Sequence, residues 1–287
     1  MFVIQSCSNP NKSSNKSDSD FLAYYNTFYM AEKYYKEALE IINFNQTDIT
    51  PKEADDLLNK AIENSLVIEK KFYNSQYVDD SYYILAMSSF YKNNITSSEY
   101  YFNRIIDEHN ESKYYNLSLI MFGNLYLKMN RINELESLID KINYEIKLDK
   151  DEKYLFYLLL ADYYKHNDNL DKVEENYLLA LNNSVEKNDR ISIYYKLLKL
   201  SEYSKNFINA IRYIDEIQSI LGQQKISDEL FEKWINYNIK IQEYDEIIKV
   251  LNNYVNNEFA DKMKIYYQVE LANVYIHQKN RLNPQQL

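Results

Sequence analysis

Residues 123–135 have the sequence GNLYLKMNRINEL, which predicts the fold of this chain. Apolar residues recur at helical spacing on both sides of a short polar segment. This pattern predicts that one helix ends near Lys128, that a tight turn follows at residues 129–131, and that a second helix begins at Ile132. Two helices joined by so short a turn pack against each other as a helical hairpin.

The same plan recurs along the chain at a nearly constant period. Predicted units begin at Asp79, Asn116, Tyr154, Ile191, Asp228 and Ile265, which are 37, 38, 37, 37 and 37 residues apart. The eighth residue of each unit, which lets the two helices approach, is Ala86, Gly123, Ala161, Leu198, Ile235 and Ala272. An ordinary helical bundle does not require such a period, so the pattern favours a repeat protein.

The second helix of each unit carries three residues at offsets of four and three, which places them on one helical face. These trios are Ser98, Phe102 and Ile105; Leu135, Ile139 and Ile142; Val173, Tyr177 and Ala180; Ala210, Ile214 and Ile217; and Ile247, Leu251 and Tyr254. A single unit cannot cover its own apolar face. Neighbouring units are therefore expected to stack on one another and to share a core.

These units resemble the tetratricopeptide repeat, whose usual length is about 34 residues. The resemblance implies an all-α fold, a right-handed helical-hairpin solenoid of about 13 helices. Residues 77–86 and 101–106 further resemble repeats of the bacterial lipoproteins that assemble outer-membrane barrels, a similarity that covers roughly residues 31–142. That second resemblance implies a role in outer-membrane assembly or secretion.

The sequence predicts a repeat superhelix at residues 20–279, preceded by a flexible tether at 1–19 and followed by a tail at 280–287. The expected units lie near 20–73, 79–110, 116–145, 154–183, 191–221 and 228–256, with a last helix at 260–279. Two Thr-x-x-Glu patterns, at residues 50–53 and 96–99, predict capping boxes at helix starts.

Composition limits the class of protein. The 287 residues include only 2 glycines and 3 prolines, which favours a nearly all-α chain. The formal net charge is −10, and an acidic surface repels phosphate backbones, so nucleic acid is not the expected partner. The sequence contains no apolar stretch of about 18 residues, and no transmembrane helix is predicted.

Cys7 is the only cysteine, and it follows Ile4, Gln5 and Ser6. This order resembles a bacterial lipoprotein cleavage site, and the polar run after it resembles a flexible tether. The resemblance implies lipidation of Cys7 and a place at the periplasmic face of the outer membrane. A complete signal needs a basic start and a longer apolar stretch, so either the chain begins inside its signal or Cys7 is an unmodified thiol of a cytoplasmic protein.

No set of residues predicts catalysis. His109, His166 and His277 lack the spacing of a metal-binding helix motif. Residues 167–171 imitate the start of a calcium loop, but Lys172 stands where that loop needs glycine. We expect a non-enzymatic protein without a cofactor or a metal.

The tetratricopeptide resemblance places a partner-binding groove on the first helices. Its predicted lining is Tyr83, Met87, Phe90, Tyr91, Ile120, Asn124, Leu127, Lys128, Leu158, Lys165, Tyr195 and Lys199, together with Asp162, Tyr203, Asn236 and Lys240. Apolar rows in a concave surface suit a peptide or protein partner. In the alternative, long loops or the N-terminal helix already fill the groove.

The sequence is consistent with three functions. The first is a lipid-tethered envelope scaffold that captures peptide segments or partner subunits. The second is a cytoplasmic adaptor with the same groove. The third is a structural subunit that assembles through its last helix.

Overall fold

The computed structural model describes residues 27–45, 50–222, 226–257 and 261–282. The elements in these ranges are all helical, and thirteen α-helices are present. They are α1 (Tyr29–Asn45), α2 (Lys52–Lys71), α3 (Val78–Tyr91), α4 (Ile95–Glu108), α5 (Tyr115–Lys128), α6 (Ile132–Glu145), α7 (Lys150–His166), α8 (Leu170–Asn183), α9 (Lys187–Tyr203), α10 (Phe207–Leu221), α11 (Asp228–Ile241), α12 (Tyr244–Asn257) and α13 (Asp261–Leu282). The predicted all-α class is confirmed for this part of the chain.

Short turns join the helices into hairpins. Since α5 ends at Lys128 and α6 begins at Ile132, the turn predicted at residues 129–131 is confirmed. In each of the hairpins from α3/α4 to α11/α12, a backbone N–H after the turn donates to the carbonyl five residues earlier. These bonds are Asn94 to Ser89, Arg131 to Tyr126, Asn169 to Tyr164, Asn206 to Ser201 and Glu243 to Asn238, at 2.8–3.0 Å. This arrangement satisfies a carbonyl that the end of the first helix leaves open.

Each of these turns contains one residue in the left-handed backbone region. The residues are Asn93 (φ 55°), Asn130 (φ 56°), Asp168 (φ 52°), Lys205 (φ 55°) and Gln242 (φ 68°). They are 37, 38, 37 and 37 residues apart, so the backbone repeats with the predicted period. Asn and Asp tolerate this region well because their side chains can bond locally, whereas Lys and Gln gain no such compensation.

Asparagine also begins three of the second helices. The side chains of Asn94, Asn169 and Asn206 accept the N–H of the residue three positions on, at 3.1–3.2 Å. The predicted capping box at residues 96–99 is therefore wrong, because α4 already begins at Ile95 behind Asn94. The box at residues 50–53 is wrong as well. Pro51 is the N-cap of α2, and the Thr50 hydroxyl donates instead to the Tyr91 carbonyl at 2.6 Å.

Helices α7 and α9 begin before their predicted units. Helix α9 begins at Lys187, whereas its unit was predicted from Ile191. A reciprocal pair of bonds joins Asp149 and Glu152, in which each backbone N–H donates to the other side chain at 2.8 Å. This capping box starts α7 at Lys150, four residues before the predicted unit. At the other end, α13 continues to Leu282, into the predicted tail, while the predicted tether at 1–19 lies outside the described residues.

The chain divides into two compact units, with the boundary between Glu152 and Lys153 inside α7. In unit 1, the core includes Phe28, Leu58, Leu85, Phe102 and Leu125, which come from successive helices or, for Phe28, from just before α1. In unit 2, a second core gathers side chains from α7 to α13, among them Ala161, Tyr177, Leu197, Ile214, Trp234 and Val274. A single superhelix through residues 20–279 remains a prediction.

The apolar face predicted for the second helices is confirmed. Fourteen of the fifteen trio residues are buried, and Ser98, Phe102, Leu135, Ala210 and Leu251 have no exposed surface. The exception is Tyr254, which is partly buried and stacks on Tyr267 of α13 with 4.9 Å between ring centroids. The second helices therefore bury the apolar faces that the spacing predicted.

The eighth residue of the predicted units is buried wherever a second helix follows it. Ala86 and Ala161 are fully buried, and Gly123, Leu198 and Ile235 are buried as well. Ala272 is exposed, and the structure describes no helix after α13 that could cover it. The burial of this position thus follows the hairpin rather than the residue type.

Polar side chains connect neighbouring hairpins inside each unit. In unit 1, the Arg131 guanidinium lies 3.3 Å from the Glu99 carboxylate and joins the turn before α6 to α4. In unit 2, the Tyr213 hydroxyl of α10 donates to Glu174 of α8 at 2.7 Å. Such bonds satisfy buried hydroxyls and fix the register of one hairpin on the next.

Candidate partner-binding surfaces

At the N-terminal end of the predicted groove, α1 packs directly against α3. Tyr83 stacks on Tyr114 with ring centroids 4.1 Å apart and planes at 9°. Burial raises the pKa of Tyr35 on α1, and the nearby phenols of Tyr83, Tyr91 and Tyr114 raise it further. Tyr35 is buried and the other three rings are partly buried in the same core, so α1 packs against this part of the predicted lining.

Three more of the predicted lining residues offer little to a ligand. Met87 is 6% exposed and Ile120 is fully buried. Asn124 is partly exposed, but its side-chain amide donates to the Ile120 carbonyl of its own helix at 3.3 Å. A position in the repeat therefore does not by itself make a side chain accessible.

A smaller accessible patch remains in unit 1, formed by Phe90, Leu127 and Lys128, and we name it the Phe90 patch. The Lys128 ammonium lies over the Phe90 ring, 3.9 Å from its centroid, while Phe90 and Leu127 are half-buried. Burial lowers the pKa of Lys128, because partial desolvation disfavours the charged ammonium. Among the described residues, no carboxylate pairs with it.

The remaining predicted residues lie in unit 2. Leu158 and Tyr195 are half-buried, and burial raises the pKa of the Tyr195 phenol. Lys165 and Lys199 are exposed. The predicted row crosses from unit 1 to unit 2, so its continuity as one groove stays a prediction.

A cleft of about 610 Å³ lies in unit 2, where the end of α9 and the start of α10 meet α11. Its lining is Glu202, Lys205, Phe207, Lys233, Tyr237 and Lys240, and we name it the lysine cleft. Phe207 and Tyr237 stack with ring centroids 5.4 Å apart. The Lys240 ammonium lies 4.2 Å from the Phe207 ring centroid, so a cation is held against the aromatic pair.

The lysine cleft carries an excess of positive charge. Lys233 pairs with Glu202 at 3.0 Å and with Glu229 at 3.7 Å, and the Tyr237 hydroxyl also donates to the Glu202 carboxylate. Within the described part of the chain, neither Lys205 nor Lys240 has a carboxylate at ion-pair distance. Two cations are therefore open to an anionic group in a protein whose net charge is −10.

The sequence predicted only some of the residues that line this cleft. Lys240 was among the residues expected along the groove, but Lys205 and Lys233 were not. Lys205 lies in the turn between α9 and α10, and Lys233 lies one helical turn before Tyr237 on α11. The available signal was a lysine at the turn position that Asn or Asp occupies in three other hairpins.

The last helix has a second apolar face. Tyr267 and Val274 of α13 are buried in unit 2, whereas Ile265, Val269 and Ile276 are 60%, 52% and 57% exposed. This exposed face is the surface that the structural-subunit hypothesis would use.

The described residues contain no group of three or more His, Cys, Asp or Glu side chains arranged to hold a metal ion. None of the helices in the described ranges is both long and apolar enough to cross a membrane. Cys7 lies outside these ranges.

The class of protein that these helices define is a tetratricopeptide-like repeat protein of helical hairpins. No protein-family model matches the chain, and no curated protein matches it. Among solved structures, the crystal structure of the yeast Tom70 is similar, with 16% sequence identity and a TM-score of 0.44. That match covers 94% of this chain and 57% of the Tom70 chain, so this chain spans little more than half of Tom70.

Proposed function

We propose that this chain is a non-enzymatic scaffold that binds segments of partner proteins on the first helices of its hairpins. The Phe90 patch supports the proposal most directly. An aromatic ring, an aliphatic side chain and an unpaired ammonium lie together there without a covering element in the described structure. Partly exposed aromatic and cationic side chains of this kind are enriched where proteins bind one another.

Affinity capture with the Phe90→Glu/Leu127→Glu variant tests this function. A carboxylate at either position places an unpaired charge in the contact, so partners captured by the wild type are expected to be lost. Tyr73→Glu/Tyr144→Glu is the matched control, because those rings are 68% and 85% exposed elsewhere in unit 1. An identical set of partners for all three proteins would refute a role for the Phe90 patch.

We further propose that the scaffold is tethered to the bacterial envelope through a lipid on Cys7. The order Ile4, Gln5, Ser6, Cys7 and the polar run that follows support this proposal. Metabolic labelling with a fatty acid is expected to mark the full chain in a bacterial host and to leave Cys7→Ser unmarked. Equal absence of label from both proteins would favour the cytoplasmic adaptor.

The structural-subunit alternative is supported by the exposed face of α13. Under that alternative, a second copy of the chain covers Ile265, Val269 and Ile276. Sedimentation of the purified protein tests this alternative. A protein that stays strictly monomeric at high concentration would exclude assembly through α13.

A further inference from the structure

We propose that the lysine cleft of unit 2 binds an acidic segment of a partner protein. This inference rests on the proposed scaffold function, but it concerns a different surface from the Phe90 patch. Three lysines, Lys205, Lys233 and Lys240, line one cleft. Lys233 is paired with Glu202 and Glu229, so Lys205 and Lys240 are the two cations that a partner can neutralise. The whole chain is acidic, so this local excess of positive charge is the feature that a negatively charged partner can recognise.

The placement of Lys205 supports a role in binding. Its φ of 55° lies in the left-handed region, where a lysine is disfavoured, and the equivalent turns have Asn93, Asn130 and Asp168. Stability alone would favour Asn at this position. The lysine instead brings a cation to the mouth of the cleft, and strained residues of this kind cluster at functional sites.

The dimensions of the cleft fit a peptide better than a single small anion. Lys233 and Lys240 are seven residues apart on α11, which separates their backbones by about 10 Å along the helix. An extended peptide advances roughly 3.3 Å per residue, so acidic side chains two to four residues apart match this span. The cleft of about 610 Å³ is also much larger than one phosphate group.

The stacked rings provide the apolar part of the site. Phe207 is partly exposed and lies against Tyr237, with the Lys240 ammonium above its face. An apolar side chain of the partner can pack beside Phe207 while its acidic neighbours pair with the lysines. The expected ligand is therefore a segment in which acidic and apolar residues alternate.

Fluorescence anisotropy with a labelled peptide of alternating aspartate and leucine tests the proposal. The wild type is expected to bind it, to bind a matched asparagine–leucine peptide weakly, and to lose affinity as salt is raised. Lys205→Asn/Lys240→Gln is expected to weaken binding about fivefold or more, since each exposed ion pair contributes up to about a factor of five. The Phe90→Glu/Leu127→Glu variant is expected to bind like the wild type, which separates this site from the Phe90 patch.

The single variant Lys205→Asn gives the most specific test of the cleft. It should raise the Tm by about 1–4 °C, because Asn suits the left-handed turn, while it weakens peptide binding. Gln242→Asn is the matched control, since it relieves the same kind of turn at φ 68° outside the cleft and should leave binding unchanged. Equal binding of the two peptides, unchanged binding by the double variant, or complete displacement by millimolar inorganic phosphate would each overturn the proposal.

Discussion

Ala161→Phe is expected to lower the free energy of unfolding by about 1–3 kcal/mol, whereas Ala272→Phe is expected to change it by less than about 0.5 kcal/mol. Both alanines occupy the eighth position of their units. Ala161 lies on α7 and is fully buried in the core of unit 2, whereas Ala272 is exposed on α13. A phenyl ring at the buried position must push packed helices apart, while the same ring on α13 points to solvent.

Denaturant unfolding of the two variants and the wild type measures this difference. Gly123→Leu makes the same test in unit 1, because Gly123 is buried on α5 and faces the same kind of helix contact. Equal stability of Ala161→Phe and the wild type would contradict the assigned register. A large loss in Ala272→Phe would mean that another element covers α13.

The second large effect is expected in alkaline solution, where stability should fall steeply above about pH 10. Burial raises the pKa of Tyr35, Tyr177 and Tyr213, and the pKa of Tyr213 rises to about 12. The unfolded chain loses these phenolic protons near pH 10, whereas the folded chain keeps them. Each such tyrosine therefore costs about 1.4 kcal/mol of stability for every pH unit between its unfolded and folded pKa.

Denaturant unfolding at about pH 8 and at about pH 11 measures the loss of stability. Tyrosinate absorbance of the folded protein measures the pH at which its phenols ionise. Tyr213→Phe should reduce the loss of unfolding free energy at alkaline pH by the contribution of one tyrosine, because the Tyr213 hydroxyl is the buried donor to Glu174. If all the tyrosines of the folded protein ionise near pH 10, the burial described for them is incorrect.

Apolar spacing was enough to predict the hairpins, because the same residues that form each helix also form its buried face. Phe102 and Ile105, for example, are buried by the helices on either side of α4, which any stacked hairpin provides. Helix starts were harder to predict, because several polar side chains compete to cap the same backbone. Asn94 and Asp149 cap their helices where the sequence pattern favoured later residues.

The candidate site was predicted less well than the fold. Met87 and Ile120 were expected on a groove surface, but they are buried. Whether such a residue is exposed depends on helices outside its own hairpin. The lysine cleft could not be predicted from spacing either. It requires Lys205 in a left-handed turn to lie beside Lys233 and Lys240 of the next hairpin, a long-range contact that no local pattern encodes.

Amide hydrogen exchange along the whole chain tests the repeated hairpin most directly. We expect slow exchange within the helices from α3 to α12 and fast exchange at the first amides of the second helices, because the first N–H groups of a helix have no acceptor within it. These helices begin at Ile95, Ile132, Leu170, Phe207 and Tyr244, at intervals of 37 or 38 residues. Slow exchange at all of these helix starts, or exchange that shows no such period, would contradict the account.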